Sequence, residues 1–297
     1  MDATSESRRE RAARRAGEFP PAPESLPLPV VDSHTHLDIT VAEVGAPGRP
    51  GGGADPLAAA IEAAEQAGVD RLVQVGVDVT SSRWGAELAA GNAAVVATVA
   101  LHPNEAPRLA DLDEALRQIE ALAGHDRVRG VGETGLDYFR TGEDGRAAQE
   151  ESFRVHIAFA KRYAKPLVVH DRDAHPDVLR VLDEEGAPES VVLHCFSGDA
   201  EFAAECVRRG YVLSYAGTVT FASAEALRAA ARVTPLDQLL VETDAPYLTP
   251  VPYRGRPNAS YLIPLTVRSL AETTGADLDK LCAAISATGE RVFGPWR

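Results

Sequence analysis

Side chains that bind metals close several apolar runs of this sequence. The runs end in Asp32-Ser33-His34-Thr35-His36-Leu37-Asp38, Gly132-Glu133-Thr134-Gly135-Leu136-Asp137, His170-Asp171-Arg172-Asp173, His194-Cys195-Phe196-Ser197-Gly198 and Glu242-Thr243-Asp244-Ala245-Pro246-Tyr247. A His-x-His pair alone is a modest signal, since polar strand residues often face water. The recurrence of His, Glu and Asp at successive strand ends is a strong one, because buried unpaired imidazoles and carboxylates each cost several kcal/mol unless a cation satisfies them together. His34, His36, Glu133, His170, His194 and Asp244 are more ligands than one zinc or magnesium ion takes from protein. Two divalent ions are therefore expected, with Glu133 as the bridge, His34, His36 and Asp244 on one ion, and His170 and His194 on the other. Mixed nitrogen and oxygen ligands suit Mg²⁺, Mn²⁺, Fe²⁺ or Zn²⁺. A pair of such ions about 4 Å apart activates water and clamps the oxygens of a displacement, which points to hydrolysis.

The elements that must position these residues alternate regularly. Apolar, β-branched runs at 30–37, 71–77, 94–100, 128–132, 167–170, 191–196, 211–215 and 239–243 predict eight strands. Segments of helical spacing at 56–66, 81–90, 112–123, 147–164, 176–185, 200–209, 224–232 and 261–274 separate them, and a further helix is predicted over 279–292. This order implies parallel pairing through right-handed crossovers and an α/β fold, a (β/α)8 TIM barrel, whose site lies at the strand C-terminal ends. No Gly-rich phosphate loop follows a strand. Residues 1–28, with an arginine cluster at Arg8, Arg9, Arg11, Arg14 and Arg15, lack apolar periodicity and are expected to be a disordered tail; 29–297 form a single domain. Residues 45–53 make a long Gly/Pro loop on the site's face.

The 297 residues carry 30 Lys and Arg against 44 Asp and Glu, a net charge of −14 that disfavours non-specific coating of nucleic acid or anionic membrane. No apolar run reaches the roughly 18 residues of a membrane span. The 3 cysteines, Cys195, Cys206 and Cys282, fit a reducing compartment and hence the cytoplasm. Strand alternation sends Cys195 outward to the helix layer as a core thiol, while Glu242 faces inward and could orient a ligand. His102, after the third strand, is a candidate substrate contact; His125, His156 and His175 read as structural or exposed. The few lysines, Lys161, Lys165 and Lys280, lie away from the site, which argues against a carboxylated-lysine metal bridge.

These five ordered motifs resemble the TatD family of metal-dependent deoxyribonucleases, within the metallo-dependent hydrolase (amidohydrolase-like) superfamily, over about 30–294. The resemblance implies a TIM barrel of metallo-dependent hydrolase type, a divalent metal pair on the six ligands above, catalytic roles for Glu133 and Asp244, and phosphodiester hydrolysis of DNA by a metal-activated water, as a 3′-5′ exonuclease on single strands. Arg172, Arg254 and Arg256 would then meet phosphates, with Tyr247, Phe139 or Phe196 stacking on terminal bases. The loop after the eighth strand, Pro250 to Arg256, is similar to the family's basic loop, but continues Pro257-Asn258-Ala259-Ser260 where the family usually has Asn-Glu-Pro. Hydrolysis of an amide or ester, such as D-aminoacyl-tRNA deacylation, is the alternative, and DNA the expected partner of a monomer.

Overall fold

The computed structural model describes residues 18–43 and 55–296; the Arg-rich cluster and the 45–53 loop lie outside them. Eight parallel strands follow one another in sequence order around a barrel: β1 (Val30–Thr35), β2 (Val69–Val75), β3 (Val95–Val99), β4 (Val128–Asp137), β5 (Leu167–Arg172), β6 (Val191–Leu193), β7 (Val212–Tyr215) and β8 (Leu239–Val241). Val and Leu dominate them because both faces are covered, the inner by the barrel's own side chains and the outer by helices. The sheathing helices are α1 (Leu37–Glu43), α2 (Pro56–Gln66), α3 (Val79–Gly91), α4 (Leu112–Ala123), α5 (Glu143–Arg162), α6 (His175–Glu185), α7 (Ala200–Arg208), α8 (Glu225–Val233), α9 (Ile263–Thr274) and α10 (Leu278–Phe293).

Several of these helices begin on an aspartate. Asp55, Asp78, Asp111, Asp199 and Asp277 each accept a backbone N–H of the first turn, which satisfies orphan donors and complements the helix dipole. Part of the acidic excess is thus capping. The last helix closes the bottom of the β8 to β1 junction: Gly289 lies so close to Val31 that a side chain there would meet its Cγ1 at 2.6 Å.

Three local expectations are corrected. The fourth strand does not stop at Gly132 but runs to Asp137, because Thr134 to Asp137 pair with Val169 to Arg172 of β5. A short helix, α1, follows β1 directly, where the sequence signal is masked by the His-x-His motif. The expected disordered tail is packed at 18–28: Phe19 meets the Tyr261 ring, the Tyr261 hydroxyl donates to Pro20 O at 2.6 Å, and Leu26 is buried with its N–H on Ala67 O. That segment is extended and irregular, so it has no periodicity to detect; its few apolar residues dock individually.

Candidate metal centre

Closure of the barrel and assembly of the site are one set of contacts. Between β8 and β1 the Asp244 N–H donates to His34 O at 2.9 Å and the His36 N–H to Ala245 O at 3.0 Å. Below them Asp32, fully buried, accepts from the Thr243 N–H at 2.9 Å and the Thr243 hydroxyl at 2.6 Å. Burial pushes the Asp32 carboxyl up to about 6 despite those bonds. Asp244 itself adopts φ of +52°, a costly conformation for a residue with a side chain. It turns the chain off the strand and delivers its carboxylate to His36, Nε2 to Oδ1 3.4 Å, and His34, 3.8 Å.

On the other side β4 presses against β5. Gly132 and Gly135, with φ of +153° and +136°, approach so closely that a Cβ would stand 2.5 Å from Val168 O and 2.1 Å from His170 O. Only glycine fits there, and the close approach sets Glu133, which follows Gly132, against the His170 ring, Oε1 to Nδ1 2.6 Å. Glu133 is the hub. His34 lies 3.3 Å from its Oε2, while His194 at 2.9 Å and His102 at 3.3 Å surround Oε1. The His34 and His194 rings stack at 3.9 Å.

All six sequence-derived ligand candidates therefore converge. His102, expected only as a substrate contact, joins them: Glu133, His102 and His170 form one group with ligand spacing, His34, His36 and Glu133 another, and His34, His194 and Glu242 a third. Glu242 accepts from the Cys195 N–H at 2.7 Å and lies 3.1 Å from His194 Nδ1, which leaves Nε2 of that ring for the cluster. Asp137, 3.3 Å from His170 Nε2, accepts from Asn104 Nδ2 and the Arg140 N–H. Its place was legible as an even step along the strand from Glu133; nothing in the sequence marked Asn104.

The electrostatics suit a cation. Burial alone would raise the Glu133 carboxyl, but His194 and His102 outweigh it and hold it well below the usual range. Burial opposes a charged His194, yet Glu133 and Glu242 raise it well above the ordinary imidazole value. Burial and the charge of His194 lower His34. Neither His34 ring nitrogen makes a hydrogen bond, although both are buried, and Glu242 Oε2 is likewise unpartnered. Buried polar atoms of that kind want a partner, and an imidazole without one among carboxylates fits a divalent ion.

The family model described as TatD related DNase matches residues 31–294. The chain belongs to the TatD family. It is 45% identical over 269 residues, 89% of this chain and 98% of the relative, to the uncharacterized metal-dependent hydrolase TatD of Mycobacterium tuberculosis. It is 35% identical over 235 residues, 78% of this chain and 91% of the relative, to the uncharacterized metal-dependent hydrolase YabD of Bacillus subtilis. The crystal structure of YjjV, a TatD homolog from Escherichia coli K12, superposes with a TM-score of 0.78 at 26% identity, covering 89% of this chain and 97% of that one. The TatD-family chain is thus a metal-dependent hydrolase on a TIM barrel.

The periphery of this TatD-family site departs from expectation in three places. Cys195 does not face the helix layer: β6 ends at Leu193, Cys195 takes φ of +43°, and burial with the nearby Glu242, Asp244 and Glu133 charges pushes its thiol well up. Such a thiol stays protonated and is a poor nucleophile. Phe196 is buried between Phe202 and Tyr215 and offers no face to a base. Arg256, expected at a phosphate, spends its guanidinium on Glu18 O and Phe19 O at 2.6 to 2.9 Å. Arg172, Arg254 and Tyr247 do stand around the mouth, Tyr247 with its ring 6.2 Å from that of His36.

Proposed function

We propose that this TatD-family hydrolase cleaves phosphodiesters of DNA, removing nucleotides from the 3′ end of single strands. The reading is carried by the convergence of His34, His102, His170 and His194 on Glu133, and supported by the family's description as related to DNases. Two divalent ions, Mg²⁺, Mn²⁺ or Zn²⁺, bound there would acidify water and offset charge on phosphoryl oxygens. His34, His36, Glu133 and Asp244 would hold one, and Glu133, His170 and His194 the other.

The chain's own residues supply the rest. Glu242 holds the His194 ring by Nδ1, and Asp137, fixed by Asn104, faces the far nitrogen of His170, so the ligand nitrogens are oriented before substrate arrives. Asp244, the most exposed carboxylate of the cluster at 17% of its side chain, is the group placed to take a proton from an attacking water. The acidic surface repels a duplex laid broadside, whereas a strand end needs only the mouth to be cationic. The unpaired Cys195, Cys206 and Cys282 suit a cytoplasmic setting.

The test is digestion of single-stranded oligonucleotides labelled at the 3′ or the 5′ end by protein loaded with each metal in turn. Early release of 3′-terminal mononucleotides is expected. Intact DNA with every metal, combined with turnover of D-aminoacyl esters, would replace this reading by the ester one.

A further inference from the structure

Two arginines at the mouth share one arrangement. The Arg172 guanidinium, at the last residue of β5, lies 4.0 Å above the Phe139 ring just beyond β4. The Arg254 guanidinium, in the loop after β8, lies 4.0 Å above the Phe221 ring just beyond β7. Neither guanidinium makes an ion pair or hydrogen bond among the described residues. The contrast with the helix layer is sharp: Arg154, Arg180 and Arg209 there are each bound to two or more carboxylates. In a chain of net charge −14, acidic partners are abundant, so two guanidiniums without one among the described residues stand out beside the candidate metal cluster.

Phe139 is 63% exposed, the largest exposure among the big apolar side chains described. One of its faces carries Arg172, and the other is open. The pairs flank β6, the strand that His194 follows, with β4 and β5 on one side and β7 and β8 on the other. Each plate offers a flat π surface with a cation against it, the combination that takes a nucleobase together with its neighbouring phosphate. Neither plate reads a base edge, so both tolerate any sequence.

We propose that Phe139 with Arg172 and Phe221 with Arg254 are two nucleotide-stacking subsites that carry a single strand across the mouth, one on each side of the scissile phosphate. This rests on the nuclease reading and adds to it a path: paired bases cannot stack on both plates at once, so a blunt duplex must fray first. It also makes affinity grow with strand length until both plates are filled.

The experiment measures fluorescence anisotropy of the metal-loaded protein with a labelled single-stranded phosphorothioate oligonucleotide, which resists hydrolysis, across a salt series. Phe139→Ala and Arg254→Ala are each expected to weaken binding about tenfold. Arg254→Ala should also flatten the slope of log affinity against log salt by about 0.7. Phe139→Tyr should restore affinity, and Arg117→Ala, on the outer face of α4, should leave it within a factor of two. Unchanged affinity in Phe139→Ala and Arg254→Ala, while wild-type protein still digests ordinary DNA, overturns the plates and leaves the nuclease reading standing. Absence of both binding and digestion in the wild type overturns the two together.

Discussion

The two halves of the metal centre are built differently. On the β4, β5 and β6 side, Glu133 holds His170 at 2.6 Å and His194 at 2.9 Å, and these are backed by Asp137 and Glu242. On the β8 and β1 side the contacts are looser: His34 Nε2 lies 3.3 Å from Glu133 Oε2 and 3.8 Å from Asp244, and His36 has Val75 O at 3.2 Å and Asp244 at 3.4 Å. The first half is the more tightly preorganised by the protein, although His170 Nε2 and Glu242 Oε2 there, like the His34 nitrogens, lack a hydrogen-bond partner among the described residues. An ion on the preorganised side should therefore be the tighter bound, and the β8 and β1 side the place where ion and substrate exchange.

The largest break in that comparison comes from the residue shared by both halves. Glu133→Gln removes the carboxylate that offsets four histidines, and should lower kcat/KM by roughly 10³-fold or more; metal content by elemental analysis should fall for both ions. Retention of both ions would refute its bridging place. Glu242→Gln acts chiefly on the His194 side, where Glu242 holds the ring by Nδ1. Wild-type protein titrated with a chelator should release its ions in two steps, and this variant should weaken the tighter site about 10- to 100-fold, drawing the steps together. If the weaker step moves instead, the assignment of halves is reversed.

A smaller effect concerns His156, which positions the strand end bearing His102. It is fully buried and lowered to about 4, chiefly by burial. Its Nε2 accepts from the Leu101 N–H at 3.1 Å, and Nδ1 donates to Ser152 O at 2.6 Å, so it is neutral in the folded state. Because its folded pKa lies below the unfolded value of about 6.5, the native state binds fewer protons, and stability falls as pH drops from about 6.5 to about 4. The loss is at most roughly 3 kcal/mol. Urea unfolding at pH 7 and pH 4.5 should show it, and His156→Gln should flatten the dependence. The smallest effect is Arg256→Ala, about 1 kcal/mol, seen as faster amide exchange at Leu26 and its neighbours.

The ligand set was legible because parallel strands are apolar throughout, so a His, Glu or Asp at the end of each stands out against its run. Alternation of strands and helices fixed the barrel for the same reason. Alternation misled at Cys195, where the strand had already ended and a positive φ re-aimed the side chain. Arg256 was misread because arginines look alike in sequence and their partners lie far away in it, here at 18 and 19.

The sequence by itself determined the fold class, the six candidate ligands that converge, and the family, since each depends on local patterning and short motifs. Only the tertiary structure decided that His102 reaches Glu133, that Glu242 and Asp137 stand behind the ligands, and which arginines are committed. Those facts depend on how far β4 presses into β5 and on Asp32 and Thr243 tying β8 to β1. Such distances arise from packing between residues remote in the chain, where no spacing rule operates.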